Sequence, residues 1–383
     1  MRRAYSTGGL WPWAPERVGR SDALGLTTDG CLKRQQRLRG VLSKHGLAGA
    51  IVTNPRYVHY LTGHWGREVF ATAVWISTEG PVVLATAYPP DHSVVAEAHV
   101  TFPAAHLATL VDDQAAEAIR TLMPFIDGHA RLGSDTSIWP HLIPNAEVRD
   151  ISDDFLAMRR TKDDDEIALL RGAVSGCEAA FAASRRLLRP GLSEVELFAR
   201  IQAAAVERIG EPIGEFGNDF QAGTGGGGLP RNRAVRAGEL LPLDLSVVVR
   251  GYCSDMCRTL CVGGDPSPAQ IEAHRLVLDA LAYVERTVRP GVSCRILYDD
   301  VFRMIDGRNG WRFTHHLGHG IGIAPHEAPR LNPHWDDTFR LGDVFTAEPG
   351  LYGDDLLGGV RIEQEYLVTE VGLERLSNDS VAL

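Results

Sequence analysis

The feature that most constrains the fold is a five-residue segment that occurs twice, one hundred positions apart. Arg-Pro-Gly-Leu-Ser at positions 189–193 recurs as Arg-Pro-Gly-Val-Ser at positions 289–293. Ser193 with Glu196 forms a capping-box pattern, and Ser293 can cap a second helix. Each segment therefore predicts a turn followed by a helix.

A second match favours an internal duplication. Gly238 precedes Asp244 by six positions, and Gly342 precedes Glu348 by the same six. Either match alone could arise by chance, but together they indicate two related halves. Each half would be a turn, a helix, a loop and a strand with one acidic residue at the same point. Two such halves can offer carboxylates to a shared centre.

The second half of the chain is dense in side chains that bind metal ions. Three histidines, His315, His319 and His326, lie among small residues that shield an imidazole poorly. The acidic residues around them are Asp244, Asp255, Glu348 and Glu363, and on pattern alone Glu365 could take the place of Glu363. One imidazole with four carboxylates is a hard, oxygen-rich ligand set that suits one or two divalent cations. The sequence therefore predicts a dinuclear metallohydrolase.

A predicted β-hairpin brings two of these carboxylates together. Residues 240–249 and 252–262 are expected to form two strands joined by a tight turn. In that register Asp244 lies opposite Cys257, and Asp255 is a diagonal neighbour on the same face. Two buried carboxylates on one face repel each other unless a cation or a proton lies between them. The alternative is a pair of exposed aspartates on a wet face.

Composition limits the classes of partner. At 383 residues the chain is long for one core, so two domains are expected. The net charge of −10 argues against a nucleic-acid partner, because no basic stripe is available to neutralise phosphates. No apolar run approaches the roughly 20 residues of a spanning helix, which argues against a membrane partner. The six scattered cysteines fit free thiols, so we expect a cytoplasmic protein.

Three regions are predicted along the chain. They are an irregular arm (1–30), an α/β domain (31–157) and a catalytic domain (158–383). In the first domain, residues 47–53, 69–76 and 82–86 predict strands. The charged run 158–166 is interpreted as a solvated linker that leads into a long helix over 167–188.

Two further motifs are interpreted as structural. The glycine-rich run 223–228 formally matches a dinucleotide fingerprint, but the residues after it do not open a helix. We therefore expect a flexible loop that borders the metal pocket. Cys253, Cys257 and Cys261 are interpreted as small packing residues of strands rather than as a thiolate metal site.

Taken in order, these motifs resemble those of the pita-bread metallopeptidases: methionine aminopeptidase, aminopeptidase P and prolidase, with creatinase as a non-metal relative. The resemblance covers roughly residues 155–383. It rests on the aspartate hairpin, the histidine-rich segment, Glu-Pro-Gly at 348–350 and Arg-Ile-Glu at 361–363. It implies an α+β fold, with a C-terminal pita-bread domain of internal pseudo-twofold duplication after a smaller α/β creatinase-type domain. It also implies a homodimer whose first domain covers the partner's active site.

The resemblance also implies a ligand set for two divalent metal ions. Asp244 would bind one ion with both oxygens. Asp255 and Glu363 would bridge the two ions, and His319 and Glu348 would complete the second. Manganese is the favoured metal, with cobalt, iron and zinc as alternatives, and a water held between the ions would attack the substrate.

Four residues are expected to act in catalysis. Glu348 would accept and return a proton. The resemblance implies that His326 contacts the scissile amide and that His315 lines the pocket beyond it. Arg361 is expected to contact a carboxylate of the site. His316 is interpreted as a satisfied loop histidine.

One position departs from the family pattern. The family usually carries a histidine in the loop before the hairpin, and its place in this chain falls on Gly227. The sequence contains no histidine between His141 and His274. A missing hydrogen-bond donor of this kind can cost about 10²-fold in rate on ordinary peptides.

Three functions follow from these observations. The leading expectation is hydrolysis of Xaa-Pro peptide bonds, as in aminopeptidase P or prolidase. The second is a metalloenzyme of the same fold, a hydrolase or lyase that acts on a small non-peptide amide, which the vacant loop position favours. The third is an inert binding protein that retains the fold, which the intact ligand set opposes. The expected substrate is thus a peptide or a small-molecule amide.

Overall fold

The computed structural model describes residues 24–67, 69–127, 131–224 and 227–383. Most of the predicted N-terminal arm, residues 1–23, lies outside these residues. The first helix begins at Thr28, so the last three residues of the predicted arm are helical. The Thr27 side chain starts this helix by accepting a hydrogen bond from the backbone N–H of Gly30.

The N-terminal half is built on a six-stranded mixed sheet. Its helices are α1 (Thr28–Lys44), α2 (Pro55–Thr62), α3 (Gln114–Leu122) and α4 (Ser152–Arg160). Its strands are β1 (Gly49–Val52), β2 (Thr72–Ser77), β3 (Val82–Thr86), β4 (Ala98–Thr101), β7 (Arg131–Ser134) and β8 (Glu147–Asp150), and a separate ribbon contains β5 (Ala105–His106) and β6 (Thr109–Leu110). The sheet order is β4-β3-β2-β1-β7-β8, with β1 antiparallel to β2 and parallel to β7.

Side chains from the two faces of this sheet pack into two separate apolar cores. Val74 and Ile76 of β2 join the large core that continues under the second half of the chain. Ala73 and Trp75, which point to the opposite face, join a smaller core against α3. This is the two-residue period expected for strands that are covered on both faces. The three predicted strands are therefore confirmed, with 82–86 matched at both ends.

The second half contains four long helices and a set of short strands. The helices are α5 (Asp164–Leu187), α6 (Glu194–Ile209), α7 (Pro268–Thr287) and α8 (Cys294–Ile305). The strands are β9 (Leu240–Leu245), β10 (Val248–Val249), β11 (Tyr252–Cys253), β12 (Met256–Cys261), β13 (Gly318–Gly320), β14 (Glu327–Leu331), β15 (Val344–Ala347), β16 (Gly350–Gly353), β17 (Gly358–Arg361), β18 (Gln364–Val368) and β19 (Leu373–Arg375). Five of them form one sheet, in the order β14-β13-β15-β18-β19.

The predicted duplication is present in the backbone hydrogen bonds. Gly191 donates to the carbonyl of Val235, and Gly291 donates to the carbonyl of Phe339 104 positions after Val235. Both glycines have positive φ, 87° and 91°, which glycine adopts at little steric cost. The helices that follow, α6 and α8, are both capped by a serine side chain. The α+β class with a duplicated second half is confirmed.

The capping box predicted at the start of α6 forms only in part. Ser193 accepts a hydrogen bond from the backbone N–H of Glu196, as expected. The Glu196 carboxylate instead pairs with Arg200 one turn later. An exposed i,i+4 pair thus takes the place of the reciprocal half of the box.

The interpretation of residues 158–166 as a solvated linker is wrong. Position 158 lies inside α4, and most of the basic and acidic side chains that follow it are buried. Arg160 donates to both carboxylate oxygens of Asp343 at 2.9 Å, and Lys162 pairs with Glu327. These partners lie more than 160 positions away, so the local sequence does not reveal them.

One helix of the described ranges, α5, is long and apolar enough to cross a membrane by length and composition alone. More than half of its most apolar window, 56%, is buried within the protein. It packs against α6 and the strands of the first repeat. This is the burial of a central core helix.

The six cysteines are free thiols, and five of them are buried. Cys253 lies in β11, and Cys257 and Cys261 lie in β12. None of the candidate metal-binding groups among the described residues includes a cysteine. The interpretation of these residues as strand packing agrees with their positions.

Candidate metal centre

The predicted hairpin has the predicted register, but its ladder is interrupted. Val249 pairs with Tyr252, and Asp244 lies opposite Cys257. Between β11 and β12 the backbone N–H of Asp255 leaves the ladder and donates to the Glu365 carboxylate at 2.7 Å. Asp244 and Asp255 then lie close together, and with Glu363 they place one oxygen each within 4.8 Å of the others.

His319 is held between two neighbouring strands. A Cβ at Gly318 would collide with the carbonyl of Thr346, and one at Gly320 would collide with the carbonyl of Ala328. Small residues on both sides therefore let β13 pair closely with β14 and β15. The Nδ1 atom lies 3.1 Å from the Gly320 carbonyl, so its N–H can donate there and leave Nε2 free to bind a metal.

The histidine faces the carboxylates. Its Nε2 lies 3.8 Å from Glu348 Oε1 and 3.9 Å from Asp255 Oδ2. His319, Glu348 and Glu363 form a second group whose ligand atoms lie within 4.8 Å of one another. All five predicted ligands thus meet in two groups that share Glu363.

Glu348 lies at a strand junction, not within a strand as predicted, and Glu363 lies at another junction. Glu348 follows β15 and donates its backbone N–H to the carbonyl of Leu317. Glu363 lies between β17 and β18 and donates to the carbonyl of Cys257 on the hairpin. A break in pairing at each junction turns the side chain toward the centre, which a strand of regular alternation would not do.

Several carboxylate oxygens of the centre are buried without a hydrogen-bond partner. Four oxygens, Oδ1 of Asp244, Oδ1 of Asp255 and both oxygens of Glu363, are buried without a hydrogen-bond partner. Burial, with the neighbouring carboxylates, raises the pKa of Asp255 and of Glu363 well above the usual range. Burial also raises the pKa of Glu348 to about 8.

These residues fit a pair of divalent cations. Buried acidic oxygens without partners require either protons or cations nearby. Burial lowers the pKa of His319 to about 3, so its imidazole is neutral and can act as a ligand. One neutral imidazole with carboxylate oxygens is the donor set of Mn, Fe(II), Co or Zn sites.

Arg361 connects the centre to a residue that the sequence prediction missed. Its guanidinium donates to Asp244 at 2.6 Å, to Asp219 at 2.7 Å and to the Tyr352 hydroxyl at 3.3 Å. Asp219 and Asp244 also form an isolated backbone bridge, in which the Asp244 N–H donates to the Asp219 carbonyl at 3.0 Å and the Asp244 carbonyl accepts from the Asn218 N–H at 2.8 Å. No local pattern marks Asp219, because it lies in a loop and reaches the site only through this bridge.

Burial alone would raise the pKa of Asp219. The hydrogen bonds from Arg361 and from the backbone N–H of Gly228 outweigh it and hold that pKa below its usual value. Asp219 is therefore ionised at neutral pH. It is a charged member of the cavity wall and not a further proton carrier.

Three more histidines surround the ligands. His315 lies 2.9 Å from the Tyr352 hydroxyl through Nε2 and 2.8 Å from the His316 carbonyl through Nδ1. His326 stacks on His319 with ring centroids 3.6 Å apart. His316 is not the satisfied loop histidine of the prediction: its buried Nδ1 has no hydrogen-bond partner and lies 3.2 Å from Glu348 Oε1.

The loop of the missing histidine borders Asp219. Gly227 has a φ of 137°, and a Cβ there would lie 3.5 Å from Asp219 Oδ1. Gly228 donates its N–H to the same oxygen at 2.7 Å. The predicted flexibility of the glycine-rich run falls partly on residues 225–226, which lie outside the described residues.

A cavity of about 510 Å³ opens over the centre. It is lined by all five candidate ligands and also by Glu215, Asp219, His315, His326 and Arg361. The cavity is large enough for a short peptide segment or a small amide. Every residue predicted to bind metal or to act in catalysis thus lines one cavity.

Two family models match the chain. Metallopeptidase family M24 covers residues 168–370, and the Creatinase/Prolidase N-terminal domain covers residues 34–160. The two matches together span nearly all of the described elements.

Curated relatives and solved structures agree with these matches. An uncharacterized peptidase of Bacillus subtilis (strain 168) is 27% identical over 88% of this chain and 95% of its own length. The Xaa-Pro dipeptidase of Pyrococcus horikoshii is 30% identical over 60% of this chain and 66% of its own length. Among solved structures, the Xaa-Pro dipeptidase from Bacillus anthracis has a TM-score of 0.75 at 27% identity, covering 92% of this chain and 99% of its own. The X-Pro aminopeptidase from Thermotoga maritima MSB8 shares the fold, with a TM-score of 0.76 at 23% identity over 91% of this chain and 98% of its own.

Proposed function

The chain belongs to metallopeptidase family M24, and from that premise we propose that it hydrolyses Xaa-Pro peptide bonds with two manganese ions. Family membership makes it a metallohydrolase that depends on divalent metal ions and supports action on peptides. The choice of the Xaa-Pro bond is supported by relatives whose names specify that bond, at 27–31% identity.

One observation carries the proposal. Five side chains from four segments, Asp244, Asp255, His319, Glu348 and Glu363, converge at one cavity with four buried oxygens that lack partners. A binding protein without catalysis would have no need to keep this costly cluster of buried acids. The same cluster offers what hydrolysis requires: ligands for two cations beside an open cavity.

When bound, the two cations would supply Lewis acidity, which activates a water and polarises the scissile carbonyl. The chain's own residues do the rest. Glu348 would take the proton of the attacking water and return it to the leaving nitrogen. His326, exposed over His319, would donate a hydrogen bond to the substrate carbonyl. His315, held by Tyr352, would position the substrate beyond the scissile bond.

Arg361 has a supporting part. Its hydrogen bond to Asp244 Oδ2 fixes that carboxylate, so only Oδ1, and not both oxygens as expected from the resemblance, is left without a partner for a cation. Its second partner, Asp219, balances the positive charge that would otherwise repel a metal ion. Arg361 is thus a positioning residue for the ligand Asp244.

The test is a purified, manganese-loaded protein assayed against Xaa-Pro peptides and against matched Xaa-Ala peptides. We expect release of the N-terminal residue from the proline series and loss of that activity with a chelator. Metal analysis should give about two ions per chain, as in other two-metal sites. A loaded protein that cuts the alanine series equally well, or neither series, contradicts the proposed specificity.

A second candidate function rests on Gly227. The described part of its loop offers the cavity no histidine, so a donor to an ordinary peptide substrate is missing. A small cyclic or N-acyl amide would need fewer contacts than a peptide. Turnover of such amides by a protein that is fully metal-loaded but inactive on every peptide would favour this function.

A further inference from the structure

The cavity remains acidic after its metal ions are counted. Six carboxylates line it, and the only arginine or lysine among the described lining residues is Arg361. Counted with Arg361, the six carboxylates leave five negative charges, and two divalent cations neutralise four of them.

Two of the six carboxylates, Asp219 and Glu215, are not among the candidate metal ligands. Asp219 and Glu215 belong to one short segment, residues 215–219, that pairs with β9 beside Asp244. Glu215 is exposed to the cavity, and the Asp219 side chain keeps 26% of its surface accessible. Neither has the buried, unpartnered oxygens of the metal ligands. Both line the cavity that a substrate must enter.

Arg361 is poorly placed to receive a negatively charged substrate group. Its side chain is only 6% exposed, and its guanidinium is committed to Asp219, Asp244 and Tyr352. A substrate carboxylate near the scissile bond would therefore meet carboxylates without a free cation among the described lining residues. A protonated amine would meet favourable charge instead.

We propose that Asp219 and Glu215 select substrates by charge, which rests on the proposed function: the cavity favours Xaa-Pro peptides with a cationic residue beside the scissile bond and disfavours a free carboxylate there. The preferred substrate class is thus a basic peptide longer than two residues. The proline carboxylate of a dipeptide lies next to the scissile bond, so dipeptides are poor substrates. This sets the chain apart from relatives named as dipeptidases.

The test uses two matched substrate pairs on the manganese-loaded protein. Lys-Pro-Ala-amide and norleucine-Pro-Ala-amide differ by one positive charge at nearly equal size. Norleucine-Pro-amide and norleucine-Pro differ by one negative charge. We expect kcat/KM to be higher for lysine and for the amide, each by about fivefold or more, since one charge acts across a partly desolvated site. Both ratios should shrink at high salt.

Two variants and a control locate the effect. Glu215→Gln should bring the lysine-to-norleucine ratio toward unity, and Asp219→Asn should lower it while keeping an oxygen that accepts from Gly228. Glu207→Gln removes the same charge from the exposed face of α6 and should keep the wild-type ratio. If Glu207→Gln lowers the lysine-to-norleucine ratio as much as Glu215→Gln does, the assignment of the effect to the cavity wall is wrong.

The outcomes separate this inference from the proposed function. Equal kcat/KM within both pairs overturns charge selection and leaves Xaa-Pro hydrolysis standing. If the manganese-loaded protein cuts no Xaa-Pro peptide, the proposed function is wrong. Binding affinity then tests the charge selection independently of hydrolysis. Calorimetry with lysinamide and norleucinamide should give tighter binding of lysinamide, and equal affinities would overturn the inference.

Discussion

Single residues of the centre show how burial creates a demand for cations. Asp255 is buried, and its backbone N–H donates to the Glu365 carboxylate, which helps to fix the backbone at this ligand. Its carboxylate has an unpartnered oxygen and two acidic neighbours. In a medium of low dielectric such a group is stable only with a proton or a cation.

Replacing Asp255 tests this requirement. Asp255→Asn keeps the shape but removes the charge that would face both metal positions. Changes to groups behind a ligand cost about 10–100-fold in metal affinity, so loss of a bridging ligand should cost more than about 100-fold and abolish hydrolysis. Metal content after dialysis and residual activity measure the effect. Asp265→Asn, at an exposed loop position, is the control, and unchanged metal content in Asp255→Asn would refute the bridging role.

Gly227 lies where the family pattern has a histidine, but its backbone conformation does not suit a histidine. A histidine there would have to adopt a backbone φ of 137°, which residues other than glycine rarely do. Its Cβ would be directed at Asp219, and Gly227 does not line the cavity. We therefore expect Gly227→His to lower the free energy of unfolding by about 1–3 kcal/mol and to give no gain in kcat/KM. An increase in kcat/KM on Xaa-Pro peptides would contradict this geometry.

At the scale of elements, the site is assembled by contacts between segments that are far apart in sequence. The chain entering α5 is tied by Arg160 and Lys162 to Asp343 and Glu327. Glu327 directly follows His326, and Asp343 directly precedes β15, which leads to Glu348. The junction between the N-terminal sheet and the second half therefore helps to fix two elements that carry site residues.

The Arg160–Asp343 pair allows a test of this junction. Arg160→Met leaves a carboxylate buried without its bidentate partner, which typically costs about 3–5 kcal/mol of unfolding free energy. Arg171→Met removes an arginine from the exposed pair with Glu374 and should cost less than about 1 kcal/mol. Urea unfolding of both variants measures the difference. Equal effects would show that burial of the junction contributes little.

For the whole molecule, the acidic centre links stability to pH and to metal. In the metal-free protein the folded-state pKa of Glu348 is raised from 4.5 to about 8, while that of His319 is lowered from 6.5 to about 3. The carboxyl group favours the folded state at low pH, and this contribution is lost as pH rises through 8. The imidazole acts in the opposite direction, and its penalty disappears above pH 6.5.

These opposing contributions predict a maximum in stability. Above about pH 7.5 the histidines are neutral in both states while the raised carboxyl groups stay protonated in the folded state alone, so the free energy of unfolding of chelator-treated protein should fall as the pH rises further. The slope should reach about 1.4 kcal/mol per pH unit for each such group. Manganese replaces the protons, so its stabilising effect should grow with pH. Unfolding midpoints at about pH 7.5, 8 and 8.5 check this, and a flat profile without metal would contradict it.

The division between sequence and structure follows from the range of the interactions. Local periodicity and capping determine where helices begin, and the repeated Arg-Pro-Gly segment with its serine caps determines the duplicated turns. The hairpin register follows from a two-residue turn, so the pairing of Asp244 with Cys257 could be predicted. The identity of the five candidate ligands came from the resemblance to the metallopeptidases, because the residue pattern alone did not decide between Glu363 and Glu365.

Only the tertiary structure decided how those groups meet. The strand breaks at Glu348 and Glu363 depend on partners in other segments, and so does the burial of the junction charges. A backbone bridge to Asp244 places Asp219 at the cavity, and no sequence pattern around Asp219 predicts this position. Electrostatic and steric effects act through space, so the role of a carboxylate depends on the groups that pack against it. The order of residues alone does not determine which groups those are.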